Sequence, residues 1–484
     1  MLFNSYIFIL LFLPIVLIGY YLTGHFGKMR LGNIFLIAMS LWFYGYYTPK
    51  YLIIICGSII FNYLFSKLIL AHRTDKAGKW LMIAGVLVNV AIIFYYKYFR
   101  FFMENMNAIF GTSFELYYIA LPLGISFFTF QQISYIVDSY HGETEGYSFD
   151  EYVLFVCYFP QLIAGPIVLH NELIPQFRDA SLRHFNAENF GHGMYIFALG
   201  LFKKVLLADT LSKAVNWGYN DIAAMTSAEA WIVSFSYLFQ IYFDFSGYCD
   251  MAIGIGYMMN INLPQNFDSP YKALSVPDFW ARWHLTLTRF LRAYVYIPLG
   301  GSRRGVVRTY LNIMVVFLVS GIWHGASWTY IVWGICHGVL SCLTRAFNKT
   351  YEKLNPVFRW LLTIMIMDIL LIVFRAPTLG AAKQFIIQLF TAPSTSISST
   401  LSECFILPVT SYILELFPGT IQELSSSACM WGFLFVSLFI VLNFKNSGEI
   451  KPKASVARGI VTAVFIYWSV MSLSGISEFL YFDF

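Results

Sequence analysis

The pentapeptide G-I-W-H-G, residues 321–325, lies inside a run of apolar residues that is long enough to cross a membrane. A titratable imidazole is costly to place in such a run, so His324 is a functional-site hypothesis by default. Two further polar residues precede it: His284 in F-W-A-R-W-H and Asp244 in Q-I-Y-F-D-F-S-G-Y. These residues fit three interpretations, namely an active site, a transport path, or buried polar groups with a structural role.

Composition places the chain among membrane proteins. Of its 484 residues, 58% are hydrophobic and only 12% are charged, whereas a soluble domain carries about 25% charged residues. The net charge of +5 comes without a compact Lys/Arg tract, which argues against nucleic-acid binding. The seven cysteines are scattered without a C-x-x-C pair, and the nine histidines lack ligand spacing. We therefore expect no disulfide framework, no metal site and no tightly bound cofactor.

Apolar runs of spanning length recur along the chain, and a spanning helix needs about 20 mainly apolar residues. The runs cover residues 3–22, 31–48, 50–71, 79–100, 117–137, 151–169, 191–212, 229–257, 308–328, 329–346, 357–375, 430–445 and 457–475, and 405–416 has the length of half a span. Because the bilayer requires satisfied backbone groups, we predict an all-α polytopic membrane protein with roughly 11 transmembrane helices plus re-entrant or interfacial helices. Residues 1–484 are predicted to form a single membrane-embedded domain, with a motif-bearing core at 121–345.

Basic loops predict the orientation of these spans. Lys28 and Arg30 follow the first span, a second basic group occupies 72–79, and a third occupies 303–308. Loops of this kind are cytoplasmic by the positive-inside rule, which places the N-terminus outside.

His324 is predicted to lie deep in the membrane. It follows Arg308 by 16 residues, which corresponds to about 24 Å of helix in a hydrocarbon core of about 30 Å. A low dielectric disfavours the charged imidazole, and a neutral imidazole can act as a general base. Gly321 and Gly325 are predicted to leave room for a substrate beside the ring. The alternative is a structural, hydrogen-bonding histidine.

The segment 277–299 is predicted to be one amphipathic helix that opens at Pro277-Asp278 and stops at the glycines 300 and 301. On a continuous helix, Arg282, Arg289 and Arg292 fall within about 80° of one another. His284 would lie about 200° from Arg282. Two interpretations follow: the arginines reach lipid head groups, or they bind a phosphorylated donor while His284 faces the interior.

Other polar residues have candidate supporting roles. Asp244 follows Gln240 by four residues, so both could share a helix face. Asp244 either orients a histidine or provides a hydrogen-bond partner at a helix kink near 246–247. Trp283 and Trp323 precede the two histidines and are assigned supporting roles. His337 need not face the same cavity as His324, because an unbroken helix would place it about 220° away, and we expect a structural or secondary role.

The order of the motifs resembles the membrane-bound O-acyltransferase family. The resemblance is strongest to its bacterial alginate O-acetylation type and weaker to the teichoic-acid D-alanylation acyltransferase. The matching runs are L-P-L-G-I-S-F-F-T-F-Q-Q-I-S-Y (121–135), F-P-Q-L-I-A-G-P-I (159–167), Q-I-Y-F-D-F-S-G-Y-C-D-M-A-I-G (240–254), L-P-Q-N-F-D-S-P-Y (263–271), F-W-A-R-W-H (279–284), Y-I-P-L-G-G (296–301), G-I-W-H-G-A-S-W (321–328) and the ending S-E-F-L-Y-F-D-F.

The resemblance implies a fold, a reaction and two site residues. His324 matches the catalytic histidine of the family, and His284 matches a second position that holds His, Asn or Asp. The implied fold is a ring of tilted helices around a funnel in a bacterial cell membrane, where a cytoplasmic donor meets an extracytoplasmic acceptor. In the acetylating branch the donor is expected to be acetyl-CoA. The acetyl group would pass to a partner protein or directly to a secreted or cell-surface polysaccharide.

Two departures from the family pattern bear on the donor. The family commonly has Asp where this chain has Ala293, and Arg where it has Leu169. Both positions bear on helix anchoring or donor contacts, and neither touches the histidines.

Two alternatives to an acetyltransferase are open: transfer of D-alanine from a carrier protein, and a transporter or flippase for an acyl donor or lipid-linked sugar. Transporters often contain internal repeats with broken helices, and the sequence has no such symmetry.

Overall fold

The computed structural model describes residues 1–392, 394–407, 419–453, 455–473 and 479–480, with the side chains of 419–424 excepted. Its helices are α1 Leu13–His25, α2 Met29–Gly45, α3 Lys50–Ala71, α4 Lys76–Ile93, α5 Phe99–Phe110, α6 Ile125–His141, α7 Phe149–Cys157, α8 Phe159–Leu162, α9 His170–Arg178, α10 Ala187–Phe202, α11 Asp209–Asn220, α12 Ser227–Met258, α13 Val276–Trp280, α14 Leu285–Leu291, α15 Val306–His324, α16 Trp328–Ala346, α17 Asn348–Tyr351, α18 Pro356–Arg375, α19 Leu379–Thr391, α20 Ser399–Glu403, α21 Gly419–Asn443 and α22 Val456–Met471.

Short π-helical segments continue several of these helices. They cover Phe8–Phe12 before α1, Phe94–Tyr98 between α4 and α5, Lys203–Ala208 between α10 and α11, and Arg292–Tyr296 after α14. The β-structure found among the described residues is one isolated antiparallel bridge between Phe267 and Trp283. The prediction of an all-α polytopic membrane protein is confirmed.

Six helices in the described part of the chain are long and apolar enough to cross a membrane. They are Phe8–His25, Lys50–Ala71, Lys76–Phe110, Val306–His324, Pro356–Arg375 and Ser425–Asn443. The runs predicted at 31–48, 229–257 and 329–346 also form helices, namely α2, α12 and α16. The total of roughly 11 spans stays a prediction, as does the orientation.

Two predicted spans are wrong in outline. The run 151–169 is not one helix, because the backbone turns away at Tyr158 (φ −51°, ψ 109°) between α7 and α8. Pro160 lies in the first turn of α8, a position where proline's missing N–H is tolerated. The run 117–137 begins as a loop, and α6 starts only at Ile125.

The contacts within the chain define two compact units. One comprises Met1–Phe197, Cys249–Gln265 and Pro452–Ile460, and the other comprises Ala198–Tyr248, Asn266–Lys451 and Val461–Phe484. The second unit holds every residue that the sequence assigned to the site. The single domain predicted for 1–484 stays a prediction.

In the first unit, polar side chains join α3, α4 and α6. Asn62 Nδ2 donates to Asn89 Oδ1 (3.1 Å) and to Gln132 Oε1 (3.0 Å), and Ser58 Oγ donates to the same glutamine oxygen (2.6 Å). All four side chains are buried, so these hydrogen bonds provide partners for polar atoms that apolar neighbours could not satisfy.

Parts of two sequence features lie outside the described residues. The predicted half-span at 405–416 falls mostly in 408–418, and the ending S-E-F-L-Y-F-D-F is described only at Phe479 and Leu480.

Candidate active site

A helical hairpin in the second unit places His324. Helix α15 ends at His324, and the extended backbone of Gly325 (φ −172°, ψ 162°) leads into a short turn. Ser327 then caps α16, its hydroxyl accepting a hydrogen bond from the amide of Thr329 (3.3 Å). The predicted spans 308–328 and 329–346 thus correspond closely to α15 and α16. His324 lies at the end of a helix of spanning length and is 3% exposed.

Both glycines of G-I-W-H-G are packed closely against Tyr330, so the expectation that they leave room for a substrate is wrong. A Cβ atom on Gly321 would overlap the backbone carbonyl of Tyr330, and one on Gly325 would overlap the Tyr330 ring. Across the hairpin, a Cβ on Gly334 would lie 2.5 Å from the carbonyl oxygen of Phe317. Gly321 and Gly334 let the two helix backbones approach, and Gly325 lets the Tyr330 ring pack against the turn that follows His324.

Aromatic rings surround the imidazole of His324. The ring centroids of Trp323, Trp333 and Phe374 lie 4.9, 5.2 and 5.2 Å from it, each in an edge-on arrangement. The imidazole also lines a cavity of about 20 Å³, together with Ile241, Phe279, Trp280, Trp283, Trp333, His337, Met367, Leu371 and Phe374. A cavity of this size holds about one water molecule, so a small group can lie against the imidazole.

His337 lines the same cavity as His324. The estimate of its direction from an unbroken helix does not apply, because the turn at 325–327 separates α15 from α16. The indole nitrogen Nε1 of Trp280 donates a hydrogen bond to His337 Nδ1 (3.1 Å). Since Nδ1 accepts, this geometry assigns the proton of the neutral ring to Nε2.

The helix predicted over 277–299 is broken, which corrects the arginine geometry. Helix α13 is capped by Ser275, whose hydroxyl accepts from the Asp278 amide (3.2 Å), and it ends at Trp280. Helix α14 begins only at Leu285, after His284 in the left-handed region (φ 49°, ψ 53°). The predicted opening at 277–278 is confirmed, but no common helix relates Arg282 to the later arginines.

His284 is fully buried, at 0% exposure, and is held by the loop that precedes α13. Asn266 Oδ1 accepts hydrogen bonds from the Thr286 amide (3.2 Å) and hydroxyl (3.0 Å), which identifies it as the amide oxygen. His284 Nδ1 lies 3.1 Å from the same oxygen and therefore donates to it. Nε2 then carries the lone pair of the neutral ring. Burial lowers the pKa of His284 to about 3, so the ring is neutral at physiological pH.

Backbone hydrogen bonds fix the same loop against the break between α13 and α14. The Asp268 amide donates to the Arg282 carbonyl (2.9 Å), and the Leu285 amide donates to the Asn266 carbonyl (3.0 Å). Asn446 adds a side-chain clamp, accepting from the Ser269 amide (3.0 Å). The left-handed turn at His284 is thus determined by its surroundings.

Trp323 connects the environments of the two histidines. Its ring centroid lies 6.0 Å from His284 and 4.9 Å from His324. Trp283 is also buried, stacks on Phe279 (5.4 Å, 16°) and lines the His324 cavity. The structure therefore gives both tryptophans positions beside the candidate site.

The three arginines have different surroundings. Arg282 Nε donates to Asp278 Oδ1 (2.8 Å) within α13 and the turn after it. Arg292 is exposed and lines a second cavity of about 150 Å³, and Arg289 lies three residues before it on the continuing helix. Arg289 and Arg292 remain neighbours by that spacing.

Asp244 pairs with a lysine, which is neither of the two roles considered for it. Lys204 Nζ donates to Asp244 Oδ1 (2.6 Å), and the Leu480 amide donates to Asp244 Oδ2 (3.1 Å). Lys204 also lies 2.9 Å from Asp209 Oδ1. Within the described part of the chain this carboxylate serves a buried ion pair instead of orienting a histidine. Gln240 is buried one turn earlier on α12.

Sequence reasoning missed three polar residues of this unit. Lys204 and Asp368 both lie in runs predicted as spans, so the rule that singled out His324 also applied to them. Asp368 is buried in α18 and accepts a hydrogen bond from Ser234 (2.6 Å). Asn266 had no comparable signal, since an asparagine in a loop is unremarkable until its partners are known.

One cluster elsewhere has ligand-type side chains, although no metal site was expected. Asp138, Glu143 and His170 lie close together in the first unit. A direct hydrogen bond joins Asp138 Oδ2 and His170 Nε2 (3.1 Å), and Glu143 is exposed. This pairing explains the cluster without an ion, and the expectation of no metal site stays a prediction.

Helices of membrane-spanning length and a buried histidine in an aromatic cavity form an arrangement that suits a membrane-embedded enzyme. The family model of the membrane-bound O-acyltransferases (MBOAT) matches residues 46–374. The chain belongs to the membrane-bound O-acyltransferase family, which confirms the resemblance in the motifs. It is accordingly an acyltransferase and a multi-pass membrane protein.

Individual relatives show which branches of the family are similar. The chain is 42% identical over 412 residues to a peptidoglycan O-acetyltransferase of Helicobacter pylori, covering 79% of this chain and 78% of that protein. It is 34% identical over 512 residues to a probable alginate O-acetylase of Pseudomonas putida, covering 100% of each. A teichoic acid D-alanyltransferase of Bacillus subtilis is 24% identical over 368 residues, covering 74% of this chain and 91% of that protein.

Proposed function

We propose that this acyltransferase moves an acetyl group from cytoplasmic acetyl-CoA across a bacterial cell membrane for O-acetylation of a secreted or cell-surface polysaccharide. His324 is the general base of the reaction. The observation that carries the proposal is the buried imidazole of His324, at the end of a spanning helix, in an aromatic cavity with room for one small group.

The proposed reaction is a single acyl transfer. The oxygen of an acceptor hydroxyl attacks the thioester carbonyl carbon, and His324 accepts the hydroxyl proton. The carbon–sulfur bond breaks, and the proton passes from His324 to the departing thiolate. The products are an ester and free coenzyme A. Positioned proton transfer of this kind contributes about 10²–10⁴-fold in rate.

The chemistry of the cavity supports acetyl over D-alanyl as the transferred group. Its lining side chains are aromatic or aliphatic apart from the two histidines, and none of them is a carboxylate. A D-alanyl group carries an ammonium ion, which is costly to bury without a partner. The relatives at 42% and 34% identity are both named as O-acetylating enzymes, which also favours acetyl as the transferred group.

The acceptor is proposed to be a polysaccharide, reached directly or through an extracytoplasmic acyl-relay protein. The relatives are named for peptidoglycan and alginate, and both polymers carry free hydroxyl groups. Membrane vesicles from the producing cells keep any relay protein in place, so they are the suitable preparation for an assay.

The test uses labelled acetyl-CoA on the cytoplasmic side of such vesicles, with peptidoglycan and alginate oligomers as acceptors. We expect labelled polymer with the native chain and a loss of about 10²-fold or more with His324→Ala. His141→Ala is the matched control, since His141 is exposed at the end of α6. Native-level labelling by His324→Ala would remove the catalytic assignment. Movement of donor into the vesicles without ester formation would favour a transporter.

A further inference from the structure

One tryptophan separates two cavities beside the candidate site. Trp280 lines the cavity of about 20 Å³ that holds His324, and it also lines the cavity of about 150 Å³ next to Arg292. The larger cavity is otherwise mainly apolar, lined by residues of α14 and α15 such as Leu287, Leu291 and Val316. The indole of Trp280 is therefore part of the wall between the two spaces.

Trp280 is held from several sides. Its Nε1 donates to His337 Nδ1 (3.1 Å), and its ring packs edge-on against Trp333 (5.6 Å) and Phe317 (5.4 Å). A buried indole N–H that lost its acceptor would carry an unsatisfied donor, at a cost that opposes rotation of the ring. The hydrogen bond to His337 thus keeps the wall in place.

We propose that Trp280, positioned by His337, limits the transferred acyl group to two carbons. This inference rests on the proposed function and adds a specificity determinant to it. The space beside His324 holds about one water-sized group, which suits the methyl of an acetyl group. Each further methylene would need the volume that the Trp280 indole fills, whereas the larger cavity lies behind that indole.

The discrimination expected from this wall is large enough to measure. One methylene too many in an apolar pocket typically changes kcat/KM by about 10–200-fold. We therefore expect the native chain to prefer acetyl-CoA to propionyl-CoA by at least about 10-fold, and to reject butyryl-CoA more strongly. Trp280→Ala joins the two spaces and should bring these ratios close to one.

The experiment measures release of coenzyme A thiol from acetyl-, propionyl- and butyryl-CoA in membrane vesicles, with the polymer that the native chain acetylates. Trp280→Phe is the second variant, because it keeps an aromatic ring of smaller size and should relax the ratio partly. Trp431→Ala, at a tryptophan that is 54% exposed on α21, is the matched control and should leave the ratio unchanged. Size-exclusion elution verifies that each variant is folded.

A pair of substitutions tests the role of His337. In His337→Asn the amide oxygen takes the place of Nδ1 as acceptor, so the acetyl preference should be retained. His337→Ala removes the acceptor and should relax the preference about as far as Trp280→Phe does. Loss of all turnover in folded His337→Asn would mean that His337 takes part in proton transfer, and its positioning role would be rejected.

The outcomes separate this inference from the proposed function. If the native chain does not consume acetyl-CoA with either polymer, the proposed function fails. If it does, and folded Trp280→Ala and Trp280→Phe keep the native acyl preference, the size limit has another origin. Folded Trp280 variants that are inactive with all three thioesters would show that the indole serves the chemistry, which also overturns the inference.

Discussion

Replacing Lys204 with methionine should destabilise the protein strongly. Lys204 Nζ lies 2.6 Å from Asp244 Oδ1 and 2.9 Å from Asp209 Oδ1. Lys204 is 1% exposed and Asp244 is 2% exposed, so water cannot replace the lost cation. Removing one partner of a buried ion pair costs about 3–5 kcal/mol, because the other charge stays buried without compensation.

Substitutions of Lys204 and of Asp244 should lower the stability by unequal amounts. Asp244→Asn keeps one acceptor oxygen, which can serve Lys204 while its NH₂ group faces the Leu480 amide donor, and Lys204 keeps Asp209. The loss of stability should therefore be smaller than in Lys204→Met. A double variant, Lys204→Met with Asp244→Leu, removes both buried charges. Replacing a buried pair by apolar side chains is often neutral or stabilising by about 1–4 kcal/mol, so this variant should recover most of the loss.

The assay is thermal unfolding of the detergent-purified full chain, followed by tryptophan fluorescence. With about 2–4 °C per kcal/mol in domains of 150–250 residues, Lys204→Met should lower the apparent Tm by on the order of 10 °C. Lys213→Met, at an exposed lysine of α11, serves as the control. An unchanged Tm in Lys204→Met, or a double variant no more stable than the single one, would refute the reasoning.

Three further predictions concern the site. Asn266→Ala removes the acceptor that fixes the tautomer of His284, and we expect kcat in the labelled-acetyl assay to fall by at least about 10-fold. An unchanged kcat would show that this contact is dispensable. Gly334→Ala forces α16 away from the carbonyls of α15 and should reduce turnover by about 10²-fold, because the reacting groups are misplaced. Gly432→Ala is the control and should leave turnover unchanged, since a Cβ atom there meets no atom within 4 Å. Arg292→Ala should raise the KM for acetyl-CoA with little change in kcat, and an unchanged KM would argue against a donor contact.

Much of the architecture could be predicted from apolar runs alone. The run 50–71 corresponds to α3 at both ends, and 357–375 corresponds to α18 within one residue. The hairpin of α15 and α16 was also located, because two spans joined by a short turn leave few alternatives. Hydropathy does not predict the break within 151–169, because a helix that ends inside the protein can end among apolar residues.

The site was predicted less completely than the fold. His324 was identified because an imidazole in an apolar run is rare, but its neighbours come from α13, α16 and α18, and no local pattern records that arrangement. The helical angle between Arg282 and His284 was wrong because it assumed a continuous helix. The break arises from hydrogen bonds to a loop around Asn266, 18 residues away in sequence.

Chemical role and backbone shape are coupled at position 284. A non-glycine residue with φ of 49° is uncommon, and asparagine, aspartate and histidine are the side chains that adopt this region most readily. These are the three residues that the family resemblance associates with this position. Alanine there would remove the imidazole and strain the turn together, so a loss of activity would have two explanations. His284→Asn removes the imidazole while keeping a residue suited to the turn, and it is therefore the substitution that isolates the chemistry of the second histidine.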